Sequence, residues 1–340
     1  MTRTQIPARP GAIGVRLAGS GSAAPKRVVT NDELSRFVDT SHEWILQRTG
    51  IERRHFCTPG EEDAFTLARD AVQGALDTAG IAASELDLVI NASVTQEMVC
   101  PSNACRVAAA IGAVPAAAFD LCAACSGLVY GMNIADTMIR GGQARTVAVV
   151  GVDALSNVID FDDRTVAILF GDGAGSVVLT ADESDPTRGC IFQSMGSDGR
   201  EWHSLYMPRR PEDVPADHDD HPARLGCLRM NGREVFKFAV TKFRAVIEEA
   251  LEATGLGVDD VAQFVCHQSN IRIIEAAIEK VGLPRDKVHV NIDEYGNTSA
   301  GSVGLVFDEL NRAGKVKEGD HVVFVAFGAG LTWASSVWRI

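Results

Sequence analysis

AVQGALDTAGIAASELDLVIN, residues 71–91, has a second copy in the chain: residues 246–266 read VIEEALEATGLGVDDVAQFVC. Each copy predicts an amphipathic helix that ends at a glycine, followed by a short acidic turn and an apolar strand. The two glycines, Gly80 and Gly255, lie 175 residues apart. The sequence therefore indicates that a helix–strand unit has been duplicated.

The same spacing recurs further along the chain. Residues 146–150 (TVAVV) and 321–325 (HVVFV) both read as buried strands. Between these strands, Cys125 corresponds to Ala300, and each residue begins a turn of small residues that leads into a predicted helix. Repeated helix–strand units with apolar strands predict an α/β fold, and a site shared by two such halves lies where they meet.

The duplication predicts two pseudo-symmetric halves, which we place at residues 1–180 and 181–340. The first half would carry Cys125. A loop is predicted to be inserted around residues 200–228 of the second half. Its segment at 209–221, RRPEDVPADHDDH, is polar and contains prolines, which is typical of an exposed loop or lid.

Composition and charge narrow the class of function. The 340 residues are 46% hydrophobic and 23% charged, as in a globular protein, and the net charge of −13 argues against general nucleic-acid binding. No apolar run approaches the roughly 18 residues that span a bilayer. Residues 1–14 fit neither a secretory signal nor a membrane anchor, so a cytoplasmic location is expected.

The eight cysteines are expected to be reduced thiols, because the chain is long and shows no secretory signal. Most of them should be small buried hydrophobic residues. They are Cys57, Cys100, Cys105, Cys122, Cys125, Cys190, Cys227 and Cys266.

Cys125 is the candidate nucleophile. The segment FDLCAACSG, residues 119–127, joins an apolar strand to a helix, so Cys125 should lie at a helix N-terminus, where the helix dipole favours the thiolate. A buried structural cysteine is the plain alternative. A redox pair with Cys122 is disfavoured because Ala-Ala between the two cysteines lacks the usual turn chemistry. A zinc site is disfavoured because no second pair of ligands has matching spacing.

Two polar residues of the second half are candidate partners. His267 follows an apolar strand in VCHQSN, and Asn297 lies in the turn YGNTSAG before the helix that corresponds to the Cys125 helix. Alone, the histidine is typical of a structural residue and the asparagine of a helix cap. The duplication, however, predicts that all three side chains lie near one interface between the halves.

Taken in order, the motifs of residues 14–340 resemble those of the β-ketoacyl-[acyl-carrier-protein] synthase III family of the thiolase superfamily. The resemblance implies a thiolase-like fold with two pseudo-symmetric halves in a layered α-β-α-β-α arrangement. The motifs that carry it are EWI at 43–45, RTGI at 48–51, ACSG at 124–127, DR at 163–164, FGDGAG at 170–175, HQSNIR at 267–272, GNTS at 296–299, FGAG at 327–330 and TW at 332–333.

The resemblance also implies a chemistry. Cys125 would take an acyl group from acyl-CoA, and the backbone N–H groups of Cys125 and Ala329 would hold the oxyanion. His267 and Asn297 would then bind the carbonyl of malonyl-acyl carrier protein as it loses carbon dioxide. Physical reasoning agrees, because a developing enolate needs neutral hydrogen-bond donors rather than a carboxylate that repels it.

Further assignments follow from the resemblance alone. Trp44, Arg48 and Arg164 would bind coenzyme A, and Lys237 and Arg272 would dock the acidic acyl carrier protein. The chain would be a homodimer with Cys100 near the interface.

No cofactor or metal is expected. The glycine run at 171–175 fits no nucleotide-binding pattern and is better explained by close backbone packing.

The sequence departs from the family pattern at two positions, and the second leaves the accepted acyl chain undetermined. Ala329 replaces a glycine of the family, which narrows the usable backbone angles but keeps the N–H. Cys100 stands where the family often has a larger apolar residue in the acyl pocket. The alternative functions are a related acyltransferase that primes a polyketide or other secondary-metabolite pathway, a non-catalytic thiolase-fold partner, and a redox protein.

Overall fold

Two mixed β-sheets form the frame of the molecule, described from a computed structural model for residues 13–215 and 224–340. The strands are β1 (Gly14–Ala23), β2 (Arg27–Thr30), β3 (Arg53–Phe56), β4 (Leu88–Ala92), β5 (Ala117–Leu121), β6 (Thr146–Asp153), β7 (Gly173–Asp182), β8 (Gly189–Ser197), β9 (Leu205–Tyr206), β10 (Arg229–Met230), β11 (Val261–Cys266), β12 (His321–Gly328) and β13 (Thr332–Arg339).

The helices alternate with these strands along most of the chain. They are α1 (Asn31–Leu34), α2 (His42–Thr49), α3 (Ala64–Ala79), α4 (Asn103–Ile111), α5 (Gly127–Arg140), α6 (Arg164–Ala167), α7 (Gly232–Thr254), α8 (Ile271–Val281), α9 (Ile292–Tyr295) and α10 (Ser302–Arg312).

The sheets share one pattern of strand directions. The first sheet has the order β1-β7-β6-β4-β5, in which β4 is parallel to both β5 and β6, and β7 is antiparallel to β6 and β1. The second has the order β11-β12-β13-β8, in which β11 and β12 are parallel and the other pairs are antiparallel. All eight residues of β6 are buried, as expected of a central strand covered on both faces.

The layers confirm the predicted thiolase-like α-β-α-β-α arrangement. Helices α5 and α10 lie between the sheets and contact strands of both. Helices α3 and α4 cover the outer face of the first sheet, and α7 and α8 cover the outer face of the second. The core between the sheets is filled by large apolar side chains, among them Met132 of α5 and Phe324 and Trp338 of the second sheet.

The duplicated spacing is visible in the elements themselves. Helices α3 and α7 end 175 residues apart, and each is followed by a glycine in the left-handed conformation, Gly80 (φ 66°) and Gly255 (φ 71°). Strands β6 and β12 keep the same spacing at both ends. The first sheet takes its strands from residues 14–182 and the second from 189–339; the division at residue 180 stays a prediction.

Glycines let the two halves approach backbone to backbone. A Cβ atom on Gly175 would lie 2.4 Å from the carbonyl carbon of Gly304, and one on Gly304 would lie 2.6 Å from the carbonyl carbon of Gly175. Any larger side chain would force β7 and α10 apart. The glycine run of residues 171–175 therefore serves close packing, as predicted.

The segment predicted to be an exposed loop is described only in part. Arg209 and Arg210 are exposed, and Pro211–Asp213 form a short 3₁₀ turn. Residues 216–221 of the prediction lie outside the described residues. Within the described ranges, no helix is both long enough and apolar enough to cross a bilayer.

Candidate active site

One pocket at the junction of the halves brings Cys125, His267 and Asn297 together. Cys125 comes from the turn before α5, His267 directly follows β11, and Asn297 follows α9. The rest of the wall is mostly apolar: Leu169, Phe170, Leu205, Met230, Gly232, Val235, Phe236, Phe238, Ser269, Asn270, Ile273, Phe327, Gly328 and Leu331.

A strained turn presents Cys125. Ala124 has a left-handed backbone (φ 46°), which is unfavourable for a residue with a Cβ and sharpens the turn from β5 into α5. Helix α5 then starts at Gly127 without a side-chain cap. Gly328 packs against this turn so closely that a Cβ there would lie 2.7 Å from the Cys125 nitrogen.

The Thr332 hydroxyl joins the Cys125 turn to the turn that carries Ala329. Its Oγ1 lies 3.1 Å from the Ala123 carbonyl oxygen and 3.0 Å from the Ala329 carbonyl oxygen. Ser126 Oγ is 3.1 Å away from the same hydroxyl. The structure therefore places Ala329 next to the nucleophile turn, although its predicted role in holding the oxyanion stays a prediction.

The resting Cys125 is a thiol, contrary to the expectation that its place before a helix would favour the thiolate. Burial, together with a smaller effect of the nearby Asp153 carboxyl, raises the pKa of the thiol to about 12. Hydrogen bonds from Ser299 and from the cysteine's own N–H oppose this rise only in part. Loss of water outweighs the helix N-terminus here, so the thiol must hand over a proton when it reacts.

Ser302 controls which nitrogen of His267 carries a proton. His267 Nδ1 lies 2.6 Å from Ser302 Oγ, which also lies 2.9 Å from the Ser299 carbonyl oxygen. The hydroxyl has a single proton. When it donates to Nδ1, the histidine presents Nε2–H; when it donates to the carbonyl, Nδ1 carries the hydrogen and Nε2 has a free lone pair.

His267 is neutral throughout the physiological range. It is only 1% exposed, and burial lowers its pKa to about 3. An imidazole in this state acts as a hydrogen-bond donor or acceptor without bringing a net charge into the apolar pocket.

This depressed pKa predicts a particular pH dependence of stability. In the unfolded chain His267 takes up a proton near its ordinary pKa of 6.5, whereas the folded chain resists protonation down to about 3. As the pH falls from 6.5 towards 3, the free energy of unfolding should decrease by up to about 1.4 kcal/mol per pH unit because of this residue. Urea unfolding at several pH values measures this change in the free energy of unfolding. In His267→Asn, the free energy of unfolding should depend less steeply on pH. Parallel plots of the free energy of unfolding against pH for the variant and the natural protein would contradict the prediction.

Asn297 is oriented by both halves. Its Oδ1 accepts the Ser299 N–H at 2.9 Å, which leaves the Nδ2 amide free to donate into the pocket. Its own N–H donates to the Leu169 carbonyl at 2.9 Å, and its carbonyl accepts the Gly171 N–H at 3.1 Å. The glycine-rich segment of the first half thus holds the asparagine of the second.

The predicted coenzyme A residues also lie together. The guanidinium carbons of Arg48 and Arg164 are each 5.4 Å from the centre of the Trp44 ring. Arg48 and Arg164 are exposed. The Arg48 carbonyl accepts a hydrogen bond at 3.1 Å from Asn270, which lines the pocket, so the cluster lies beside its mouth.

Lys237 and Arg272, the predicted docking residues, are exposed on the two helices that border the pocket. Lys237 is in α7, next to the pocket residue Phe236, and Arg272 is in α8, next to the pocket residue Ile273. The structure places both at the rim of the pocket, and their role in docking stays a prediction.

Sequence reasoning missed a polar network beneath the pocket. Asp153, Ser299 and Ser302 are fully or almost fully buried. The Ser299 N–H donates to Asn297, Ser302 Oγ lies 2.6 Å from His267 Nδ1, and the Asp153 charge acts on Cys125. The available signal was Asp153 itself, a carboxylate at the end of an otherwise apolar strand pattern. Five of the eight cysteines are buried, whereas Cys100, Cys105 and Cys122 are exposed, and all eight are free thiols.

A layered α-β-α-β-α fold with a cysteine, a histidine and an asparagine in one pocket between its halves defines an acyltransferase of the thiolase-fold class. Two family models match: 3-oxoacyl-[acyl-carrier-protein] synthase III over residues 119–199, and the C-terminal part of the same family over residues 251–340. The β-ketoacyl-[acyl-carrier-protein] synthase III of Caldanaerobacter subterraneus subsp. tengcongensis is 44% identical over 325 residues, covering 96% of this chain and 97% of that protein. The chain belongs to this family.

Solved structures agree with this assignment. The 3-oxoacyl-[acyl-carrier-protein] synthase III of Aquifex aeolicus is 40% identical and superimposes with a TM-score of 0.88 over 96% of this chain and all of that one. A priming β-ketosynthase from a polyketide biosynthetic pathway is 35% identical, with a TM-score of 0.88 over 100% of this chain and 99% of that one. The resemblance inferred from the motifs is therefore confirmed.

Proposed function

We propose that this protein condenses an acyl-CoA primer with malonyl-acyl carrier protein, releasing coenzyme A and carbon dioxide and forming a 3-oxoacyl-carrier protein. The observation that carries the proposal is the meeting of Cys125, His267 and Asn297 in one pocket of a chain from the β-ketoacyl-[acyl-carrier-protein] synthase III family. Mixing the protein with both substrates and identifying the carrier-bound product tests it. A 3-oxoacyl product is expected, and an unchanged malonyl carrier would contradict it.

The first half-reaction transfers the acyl group to Cys125. The sulfur attacks the thioester carbonyl, the carbonyl oxygen takes up the charge, and the bond to the sulfur of coenzyme A breaks. We assign stabilisation of the oxyanion to the backbone N–H groups of Cys125 and Ala329, whose turns are joined through Thr332. The departing sulfur receives the proton that the Cys125 thiol gives up.

The second half-reaction forms the carbon–carbon bond. Asn297 Nδ2–H and His267 Nε2–H, the latter available when Ser302 donates to Nδ1, bind the malonyl thioester carbonyl. The bond to the malonyl carboxylate breaks, its electrons form an enolate, and the enolate attacks the acyl-Cys125 carbonyl. Both donors are neutral, so neither repels the developing charge.

The apolar wall supports loss of carbon dioxide. Phe170, Phe236 and Phe327 line the pocket, and the Phe327 ring lies 5.3 Å from the His267 ring. A carboxylate is poorly solvated among such side chains, whereas carbon dioxide is neutral. The electrons come from the breaking carbon–carbon bond, so the proposed reaction needs no resident cofactor.

Two separate surfaces are proposed for the two substrates. The Trp44 ring with its two flanking arginines suits the adenine and phosphates of coenzyme A. Lys237 and Arg272 at the rim suit an acidic carrier protein, whose approach is otherwise opposed by the net charge of −13.

The two surfaces can be separated by paired variants. Trp44→Ala should raise the acyl-CoA concentration for half-maximal acylation roughly ten-fold, with little effect on the second step. Lys237→Glu combined with Arg272→Glu should slow discharge by malonyl-carrier protein at low salt and leave acylation unchanged. Each variant is the control for the other. If either variant slowed acylation and discharge by the same factor, the assignment of two separate surfaces would be contradicted.

We also propose that two copies associate along β5. This strand forms one edge of the first sheet and pairs with β4 alone among the described strands; its residues are half-buried or exposed. Phe119 in this strand and Val99 (77% exposed) in the segment before α4 are exposed apolar side chains. A bare apolar edge favours pairing with another strand. Light scattering should give the mass of a dimer, and Val99→Lys should weaken it; a monomer at micromolar concentration would contradict the proposal.

Priming of a polyketide or other secondary-metabolite pathway is the second candidate, favoured by the structural match to the priming β-ketosynthase. Both functions use the same chemistry and differ in primer and carrier. Assays with short straight, branched and aromatic acyl-CoA primers, each with a fatty-acid and a polyketide carrier protein, distinguish them by the preferred pair.

A further inference from the structure

Gln268 is a buried polar residue beside the site, and the proposed reaction gives it no role. It follows His267 directly and is 1% exposed. A side-chain amide is costly to bury unless its N–H donors and its oxygen find hydrogen-bond partners. The partners of Gln268 therefore show which parts of the chain its side chain holds together.

Gln268 fixes the backbone on both sides of His267. Its Nε2 donates to the carbonyl of Cys266, the residue before the histidine, at 2.9 Å. Its own backbone N–H lies 3.4 Å from Ser302 Oγ, the hydroxyl that also contacts His267 Nδ1. The His267 N–H donates to the Val325 carbonyl at 2.9 Å. Three consecutive residues are thereby held, and with them the position from which the imidazole enters the pocket.

The same amide reaches the segment that leads to Asn297. Gln268 Oε1 accepts the Asn291 N–H at 3.1 Å, and Nε2 lies 3.4 Å from the His289 carbonyl oxygen. These partners settle which end of the amide is the oxygen, because a backbone N–H can only donate and a backbone carbonyl can only accept. The Gln268 side chain is therefore a bridge between the end of β11 and the segment before α9.

A single hydrogen-bonded turn separates Asn291 from Asn297. The Asn291 carbonyl accepts the Tyr295 N–H at 3.2 Å, which closes the turn of α9. Gly296 follows that helix and directly precedes Asn297. A closed helical turn has little conformational freedom, so a displacement of Asn291 is passed on to Asn297.

The outer side of this segment has partners of its own. Glu309 Oε2, in α10, accepts the Asn291 Nδ2 amide at 3.0 Å and lies 2.7 Å from His289 Nε2. These contacts do not involve Gln268. The segment should therefore stay attached to α10 when the Gln268 amide is removed, and only its position relative to His267 should change.

We propose that Gln268 is a positioning residue for the loss of carbon dioxide, because it sets the distance between the His267 imidazole and the Asn297 amide. Both donors must reach the same malonyl carbonyl oxygen, and a misplacement of about 1 Å is costly at a reacting centre. Acylation of Cys125 does not use this pair of donors. The inference rests on the proposed function, and Gln268 acts only through the two side chains that it positions.

Gln268→Met tests this role, since methionine keeps the length of the side chain but removes the hydrogen bonds of the amide. We expect kcat for decarboxylation of malonyl-carrier protein to fall roughly ten-fold, with KM and the rate of Cys125 acylation within about two-fold of the natural values. A general loss of folded protein would instead slow both half-reactions by the same factor.

Gln263→Met is the matched control. Gln263 lies in β11, is 7% exposed, and its Oε1 has no hydrogen-bond partner in the part of the chain that the structure describes. This variant should keep the natural rates of both half-reactions. The inference is wrong if Gln268→Met keeps the natural kcat for decarboxylation, if it slows acylation equally, or if Gln263→Met behaves in the same way. If Gln268→Met does not fold, Gln268→Asn decides by the same measurements, because its shorter amide cannot span both segments.

Hydrogen exchange gives a second readout that needs no substrate. The Asn291 N–H is protected by Gln268, so peptides that cover residues 288–297 should exchange faster in Gln268→Met but not in Gln263→Met. If the natural protein does not decarboxylate malonyl-carrier protein while exchange shows this contrast, the proposed function fails and the bridge between the segments stands. If decarboxylation proceeds and its kcat shows no contrast between the variants, the positioning role fails alone.

Discussion

Cys125→Ala should take up no acyl group from any acyl-CoA and should lose condensation activity by on the order of 10⁴-fold or more, because the acyl-enzyme cannot form without the sulfur. The substitution removes one small buried atom next to an existing pocket, so the fold should persist. Intact-protein mass spectrometry and a product assay measure the two effects.

The matched control is Cys122→Ser. Cys122 lies three residues earlier in the same segment but is exposed, and the two thiols form no disulfide. Cys122→Ser should take up the acyl group on Cys125 and catalyse condensation at the rate of the natural protein. If Cys122→Ser abolished activity while Cys125→Ala kept it, the redox alternative would replace acyl transfer.

His267→Ala and Asn297→Ala should separate the two half-reactions. Acylation of Cys125 should stay within about ten-fold of the natural rate, whereas decarboxylation of malonyl-carrier protein should fall by roughly 10² to 10³-fold for each, since each donor stabilises the enolate. Acylation of Cys125, quenched at fixed times, reports on the first half-reaction. Release of labelled carbon dioxide reports on the second.

Ser302→Ala refines the same experiment. It removes the 2.6 Å contact to His267 Nδ1 but keeps the imidazole, so decarboxylation should be partly lost, between the natural protein and His267→Ala. An equal loss of acylation and decarboxylation in His267→Ala would show that the histidine also serves the first step. Our assignment of His267 to the second half-reaction alone would then be wrong.

Much of the fold was predictable because it depends on local periodicity. The duplicated helix–strand pattern and the glycines that end α3 and α7 are visible in sequence, since a left-handed C-terminus favours glycine. The left-handed residues Ala124 and Ser299 were not predictable, because neither is a glycine. Their conformation is imposed by packing of one half on the other.

The reacting residues of the site could be predicted from the sequence, but their pKa values and buried polar contacts could not. Cys125, His267 and Asn297 followed from motifs and the repeat. The high pKa of the thiol did not, because it depends on burial by segments remote in sequence, including Gly328. The contact of Asp153 with Ala300 joins residues 147 positions apart, so no local pattern indicated it.

The central claim is that Cys125 carries the acyl group between the two substrates, and sequential mass spectrometry of the intact protein tests it most directly. After incubation with acyl-CoA, the mass should rise by one acyl group, and peptide mapping should place that group on Cys125. Malonyl-carrier protein should then restore the original mass as the 3-oxoacyl-carrier protein appears. An unmodified Cys125 with every acyl-CoA tested, or an acyl group on another residue, would contradict the account.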